Sequence, residues 1–348
     1  MRVLHLYRPR LPSTRAQAIQ VFRTCHALAE RGHEVTLIAD RGDAPHMLWN
    51  HMGLGPTTGL NVRLAPIRHP GLAGIWFRRE IRRWWRGAPG IILARDKRRL
   101  LAAVQAHGKC NHRILLETHE LDSLKPDQQI DAEKYAIESD CLALTDGLIA
   151  NCKGTLTAWR THHSVRMPAE VCHNATHVEF TDGSGPSHGV LVLGSMRRNK
   201  GIDTVLSAAH GLSVPFRWVG GTEEERARYS DLITLEKAIP HQAIERVLNQ
   251  AAVLLLPLGD NPFSHQFTSP LKLWDYLATD RPIVAANTNA VEEICTHASA
   301  HVFLYEPGDV DSVQQALHSA LEAPPRTPFR RTWAERADEL THMMQRIA

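Results

Sequence analysis

Three cations crowd one short turn of the chain. In "VLVLGSMRRNKGIDTVL" (190–206) an apolar run reads as a strand, the turn after it carries Arg197, Arg198 and Lys200, and Gly201 opens an amphipathic helix. Cations at the carboxyl end of a strand suit a diphosphate, whose charge they match; otherwise they form a solvated basic turn. Further on, "SPLKLWDYLATDRPIVAA" (269–286) reads as a short helix feeding a core strand. Ser269 is a good N-cap, Pro270 suits the first helical position, Leu271 follows it, and Pro282 stops the helix before the apolar run from Ile283 to Ala286. Such a helix start offers unpaired amides and a partial positive charge to a phosphate. Asp275, a turn and a half further in, could meet something attached to that phosphate, or be a solvated carboxylate on a surface helix.

The elements that must position these residues repeat twice. "VLHLY" (3–7), "EVTLIA" (34–39), "GIILA" (90–94), "RILLE" (113–117) and "GLIAN" (147–151) alternate with helical stretches, the first of them amphipathic from Arg15 to Arg31. After "THVEFTDGSGPSHG" (176–189), a Gly-, Ser- and Asp-rich linker, the rhythm restarts with "VLVLG", "FRWVGG", "AVLLLP", "PIVAA" and "HVFLY". Continuous apolar strands separated by helices predict two doubly wound parallel α/β sheets, with ligands at the carboxyl ends of the strands around one cleft. The expected domains are 1–175, a linker over 176–188, 189–325, and a closing amphipathic helix over 326–348 that packs back toward the first domain.

Bulk properties bound the function. The 348 residues are 43% apolar and 22% charged, as in a soluble globular protein of two domains. The N-terminus lacks an uninterrupted apolar h-region, and no stretch reaches the roughly 18 apolar residues of a membrane span. The six cysteines are scattered, as expected of free thiols in a reducing cytoplasm. Residues 1–172 hold 25 Lys and Arg against 16 Asp and Glu, whereas residues 173–348 hold 15 against 21, so the first half should face an anionic partner. Neither first strand is followed by Gly-x-Gly-x-x-Gly, which removes support for hydride transfer, and a Walker loop is missing too. His173 and His177, four apart beside the linker, read as structural rather than as metal ligands.

Together, "GSMRRNKGIDTVLSAA", "FRWVGGTEEE", "AAVLLLPLGDNPFSHQFTSPLKLWDYLATDRPIVAA" and the closing "RTWAERADEL" look like the donor half of family 4 retaining glycosyltransferases of the GT-B fold. "LPSTRAQAIQVFRTCHALAERGHEVTLIA" and "ILLETHEL" resemble the acceptor half of the same group. The resemblance implies two Rossmann-like domains facing a central cleft and a nucleotide-sugar donor, with neither cofactor nor metal. It also implies roles. Asp275 would bond the donor ribose, the helix start at Ser269, Pro270 and Leu271 would hold the diphosphate, and Lys200 would neutralise it as it leaves. His119 of "ETHEL" would approach the donor sugar, making His119 and Lys200 the catalytic pair. The chain departs from the family in three places. Phe267 stands where the first of two glutamates eight apart is usual; Ser195 follows Gly194 where arginine is usual, leaving Arg197 or Arg198 to supply that cation; and "RPRLPSTRAQ" replaces a Gly-Gly turn after the first strand.

In "WFRREIRRWWRGAPGIILARDKRR" (76–99), Trp76, Phe77, Ile81, Trp84 and Trp85 interleave with Arg78, Arg79, Arg82, Arg83 and Arg86. This stretch is expected to lie on an anionic membrane surface with its aromatics at the interface; packing on the sheet is the competing reading, and nucleic acid is not an expected partner. The expected function is transfer of a sugar with retention to a glycan or lipid-linked acceptor in cell-surface polysaccharide or glycolipid assembly, at the cytoplasmic side. A non-catalytic nucleotide-sugar-binding or scaffold protein is the alternative, and an epimerase of the same fold a distant third.

Overall fold

The computed structural model describes the chain except at residues 67–68, 180–187, 197–199, 230–232 and 241–242. It divides into two compact units, Met1–His173 with Trp333–Ala348, and Asn174–Thr332. Part of the stretch read as a linker, 180–187, and Arg197 and Arg198 thus lie outside the described residues.

The first unit carries a parallel sheet of β1 (Arg2–Leu6), β2 (Arg10–Leu11), β3 (Glu34–Arg41), β4 (Leu60–Leu64), β5 (Ile91–Ala94), β6 (Arg113–Thr118), β7 (Gly147–Ala150) and β8 (Ala169–Val171), in the order β2-β3-β1-β5-β6-β7-β8 with β4 also on β3. The β5 and β7 strands are apolar and buried throughout, and β1 is buried from Val3 to Leu6 with His5 its one polar member there, as strands covered on both faces must be. The closing helix Trp333–Ile347 packs on the helix Ala16–Glu30 of this unit, with Arg31 Nε 2.7 Å from Asp338 Oδ1 and His33 Nε2 2.8 Å from Thr341 Oγ1.

The second unit holds β9 (Val190–Leu193), β10 (Phe216–Val219), β11 (Thr234–Glu236), β12 (Val253–Leu256), β13 (Ile283–Ala286) and β14 (Phe303–Tyr305), all parallel, in the order β11-β10-β9-β12-β13-β14. The strand order reverses between β9 and β12. In sheets of this kind the crevice outside the carboxyl ends of the two strands at such a reversal takes the ligand. In the first unit the reversal falls between β1 and β5.

The basic aromatic stretch does not place its aromatics at an interface, contrary to the sequence reading. It forms most of the helix Pro70–Trp85, and Phe77, Ile81, Trp84 and Trp85 are buried in the core against Leu4, Ile38 and Ile92, with Trp76 partly buried beside them. The aromatics pack because the sheet needs an apolar cover; Trp85 Nε1 donates to Gly108 O at 2.8 Å. What the helix leaves exposed is Leu72 and Ile75 near its start and Arg78, Arg79, Arg82 and Arg83 further on, with Arg86 just beyond.

Candidate active site

In the second unit the site begins where β9 ends. Gly194 has φ +121°, and a Cβ there would fall 1.7 Å from Lys272 Nζ; Gly220, at φ +133° after β10, would put a Cβ 2.4 Å from Gly194 O. Side chains are therefore excluded at both strand ends, and the backbone and the Lys272 ammonium close in together. Lys272 and Asp275 stand three apart on the seven-residue helix Leu271–Leu277 and so share one face. Tyr276 pins that helix across the switch point: its hydroxyl accepts from Leu193 N at 3.2 Å and donates to Leu255 O at 3.4 Å. Burial, then the like charge of Lys200, pull the Lys272 ammonium down to about 7, with Asp275 opposing them. Lys272 thus feels the opposed charges of Lys200 and Asp275 at the carboxyl end of β9.

Asp275 is buried, and its Oδ1 accepts from Thr176 Oγ1 at 2.6 Å with His177 Nδ1 at 3.6 Å, so it is no solvated surface carboxylate. Ser269 is not the cap that the sequence suggests. Pro270 occupies the N-cap, no side chain caps the helix, and the buried Ser269 hydroxyl instead accepts from Trp274 Nε1 at 3.3 Å, because proline fixes the turn one residue later. Leu271 begins the helix and is half-buried, as are Ser195 and Lys200 in the loop after β9. That loop is tied to the one after β10 by Glu225, whose Oε2 accepts from Met196 N at 3.3 Å and Thr222 N at 3.0 Å. Phe267 closes a π-helical turn, Phe263–Phe267, and is buried.

In the first unit His119 follows β6 and is held by a buried carboxylate. Glu117 Oε1 accepts from His119 Nε2 at 3.0 Å, Gln20 Nε2 at 2.7 Å and Arg336 Nη2 at 2.7 Å. Arg336 comes from the closing helix; its side chain and that of Glu117 are each 1% exposed, and its Nη1 donates to Cys172 O at 2.6 Å and His173 O at 2.7 Å. Burial alone would raise the Glu117 carboxyl, yet the Arg336 cation and the hydrogen bond from His119, with the His5 ring 3.7 Å away, hold it well below the carboxylate range. Burial, then the Arg95 cation, bring His119 down to about 4 against the pull of Glu117. At neutral pH the ring is therefore uncharged, and the acceptor Glu117 assigns the proton to Nε2.

The residues that sequence reasoning missed are Lys272, Glu117 and Arg336. Lys272 could have been found from its three-residue spacing to Asp275, and Glu117 from its two-residue spacing to His119 at the end of a strand, which puts both on one face. Arg336 lies 219 positions from Glu117 and left no local signal. Among the described residues no group of three or more His, Cys, Asp or Glu is arranged to hold a metal ion.

A profile of Glycosyltransferase Family 4 matches residues 17–180, and one of glycosyl transferases group 1 matches residues 187–323. By sequence alone no curated protein matches the chain. Among solved structures it resembles a sucrose-phosphate synthase from Thermosynechococcus elongatus (TM-score 0.70, 17% identity, over 99% of this chain and 95% of that one). It also resembles Anabaena HepE in complex with UDP-glucose (TM-score 0.67, 14% identity, over 100% and 98%). A third is the catalytic domain of Arabidopsis thaliana starch synthase IV bound to ADP and acarbose (TM-score 0.65, 10% identity, over 99% of each). At such identities these likenesses speak to the fold. With both halves of the chain matched in order by profiles of one group, and a sheet in each unit wound as that group requires, the chain belongs to the family 4 glycosyltransferases of the GT-B fold.

Proposed function

We propose that the protein transfers a sugar from a nucleotide-sugar donor, with retention of configuration, to a glycan or lipid-linked acceptor in the assembly of a cell-surface polysaccharide or glycolipid. The observation that carries the donor half is the approach of two cations, Lys200 and Lys272, at the strand-order reversal of the second unit, with Asp275 acting on Lys272. A diphosphate brings negative charge to these cations. Breaking the sugar–phosphate bond builds charge on the departing oxygen, and fixed cations in a partly dehydrated site stabilise it most. Arg197, Arg198, Ser195, Ser269, Pro270 and Leu271 keep their proposed places around the donor, and Asp275 its proposed bond to the ribose. HepE and starch synthase IV, both of this fold, were captured with UDP-glucose and with ADP respectively, which supports a nucleoside diphosphate here. His119, neutral and fixed by Glu117, is the proposed partner of the donor sugar.

Stabilisation by a panel of nucleoside diphosphates, followed by donor hydrolysis, tests the reading. Lys200→Ala should lower turnover by about a hundredfold with the fold intact, the scale of losing one charge-stabilising group. The buried Phe267 in place of a glutamate favours the second reading, a non-catalytic sugar-nucleotide binder; ligand-induced stabilisation with no turnover would select it.

The exposed arginines of the helix Pro70–Trp85 together with Leu72 and Ile75 support attachment to an anionic membrane surface, the helix lying on it rather than crossing it. No helix among the described residues is long and apolar enough to cross a membrane. Sedimentation with anionic vesicles should therefore weaken with salt and be lost on Arg79, Arg82 and Arg83→Glu.

A further inference from the structure

The loop that replaces the Gly-Gly turn walls a cavity of its own. Residues Tyr7 to Arg15 leave the carboxyl end of β1 and, with the first turn of the helix Ala16–Glu30 and the segment after β3, enclose about 590 Å³ within the first unit. The place is significant, because β1 and β5 flank the strand-order reversal of this sheet. Three arginines of this one loop, Arg8, Arg10 and Arg15, stand on the wall.

Each is set differently. The Arg8 side chain is 13% exposed, its Nη2 lies 2.7 Å from Asp40 Oδ1 and its guanidinium lies 5.3 Å from the centre of the Phe77 ring, so it is fixed in place before any ligand arrives. Arg10 reaches Asp43 at 2.9 Å at the exposed rim. Arg15 is the N-cap residue of a 15-residue helix that has neither a side-chain cap nor an acidic residue in its first turn. A cation at the positive end of a helix has the unfavourable sign, and local rules are broken in this way where a ligand makes the compensation. Asp40 and Asp43 match two of the three arginines. The wall is left with the charge of Arg15 added to that of the helix end, and with the hydroxyls of Ser13 and Thr14 beside them.

We propose that this cavity binds an oxyanion, a phosphate or carboxylate group, and that the group belongs to the sugar acceptor, which is therefore an anionic glycan or lipid-linked saccharide. Assignment to the acceptor rests on the transferase reading; the anion site itself does not. Arginine forks and uncapped helix amides both present N–H donors to oxyanions, and an oxyanion matches the charge of Arg15 where a neutral saccharide does not.

Inorganic phosphate is the first probe, titrated calorimetrically into the full chain at constant ionic strength. Arg15→Gln and, independently, Arg8→Gln should weaken phosphate binding at least tenfold, while affinity for the best-binding nucleoside diphosphate changes less than twofold. Arg15 is exposed, so its variant folds even if the Arg8 variant does not. Phosphate binding equal in wild type and Arg15→Gln overturns the anion site. A parallel loss of nucleoside diphosphate affinity overturns the acceptor assignment in favour of the donor diphosphate. If wild type neither hydrolyses nor transfers from any nucleotide sugar while Arg15→Gln still loses phosphate, the transferase reading fails and the anion site stands.

Discussion

Replacing Arg336 by Met should destabilise the first unit more than any other single change in the closing helix. The guanidinium is buried, bonds Glu117 at 2.7 Å, and satisfies the carbonyls of Cys172 and His173. Methionine fills similar space but leaves a buried carboxylate without its cation, and breaking such a pair from one side costs about 3–5 kcal/mol. Two carbonyls lose a donor as well, at about 1 kcal/mol or more each where water does not replace it. The terms overlap, so the expected loss is about 4–5 kcal/mol, a large share of the roughly 5–15 kcal/mol that holds a domain. For a unit of this size that lowers its melting point by about 10 °C or more. Glu117→Gln in the same chain removes the stranded charge, so the double variant should recover about 2 kcal/mol relative to the sum of the singles. Denaturant unfolding with hydrogen exchange read at β6 isolates the first unit from the second. A loss under about 1 kcal/mol, or strict additivity in the cycle, would refute the claim that Arg336 compensates Glu117.

Three further outcomes follow from the charges. Because burial and Lys200 hold Lys272 near 7, binding a nucleoside diphosphate should draw a proton onto it; affinity should fall by up to about tenfold per pH unit above pH 7, and a binding enthalpy independent of buffer between pH 7 and 9 would exclude this. Asp275→Asn removes the carboxylate that raises Lys272, so nucleoside diphosphate affinity should drop further at pH 8 than at pH 6.5, and an equal drop at both would count against the coupling. His119 is held near 4 in the fold against about 6.5 unfolded, a depressed value, so its stabilising contribution is complete above pH 6.5 and is lost as pH falls toward 4, by at most about 3 kcal/mol; a His119→Gln chain with an unchanged pH slope would sink this.

The two sheets were legible because their strands are short apolar runs, and such runs need helices on both faces whatever the details of the loops. The carboxylate of Asp275 stands out in the sequence near a helix start, but its burial does not, since the Thr176 hydroxyl that bonds it lies 99 positions away. The helix Pro70–Trp85 misled for a related reason. Its arginines and tryptophans alternate so closely that composition fits a membrane surface and a core cover equally, and only the sheet beneath Trp84 and Trp85 decides that the rings turn inward.

The residues that escaped the sequence share a physical character. Lys272 and Arg336 are cations inside apolar patterns, where a periodicity reading counts each as one polar interruption of an amphipathic helix. Each is tolerated because something distant makes room or compensates: Gly194, with no side chain, for Lys272, and Glu117 for Arg336. Burial of a charge is costly, so a chain retains it where the charge is used or where its partner is fixed. Lys272 feels the repulsion of Lys200 against the attraction of Asp275, whereas Arg336 is bonded directly to Glu117. That difference separates the two roles. The Arg336–Glu117 pair holds His119 in place, while Lys200 and Lys272 are the cations proposed to meet the donor diphosphate.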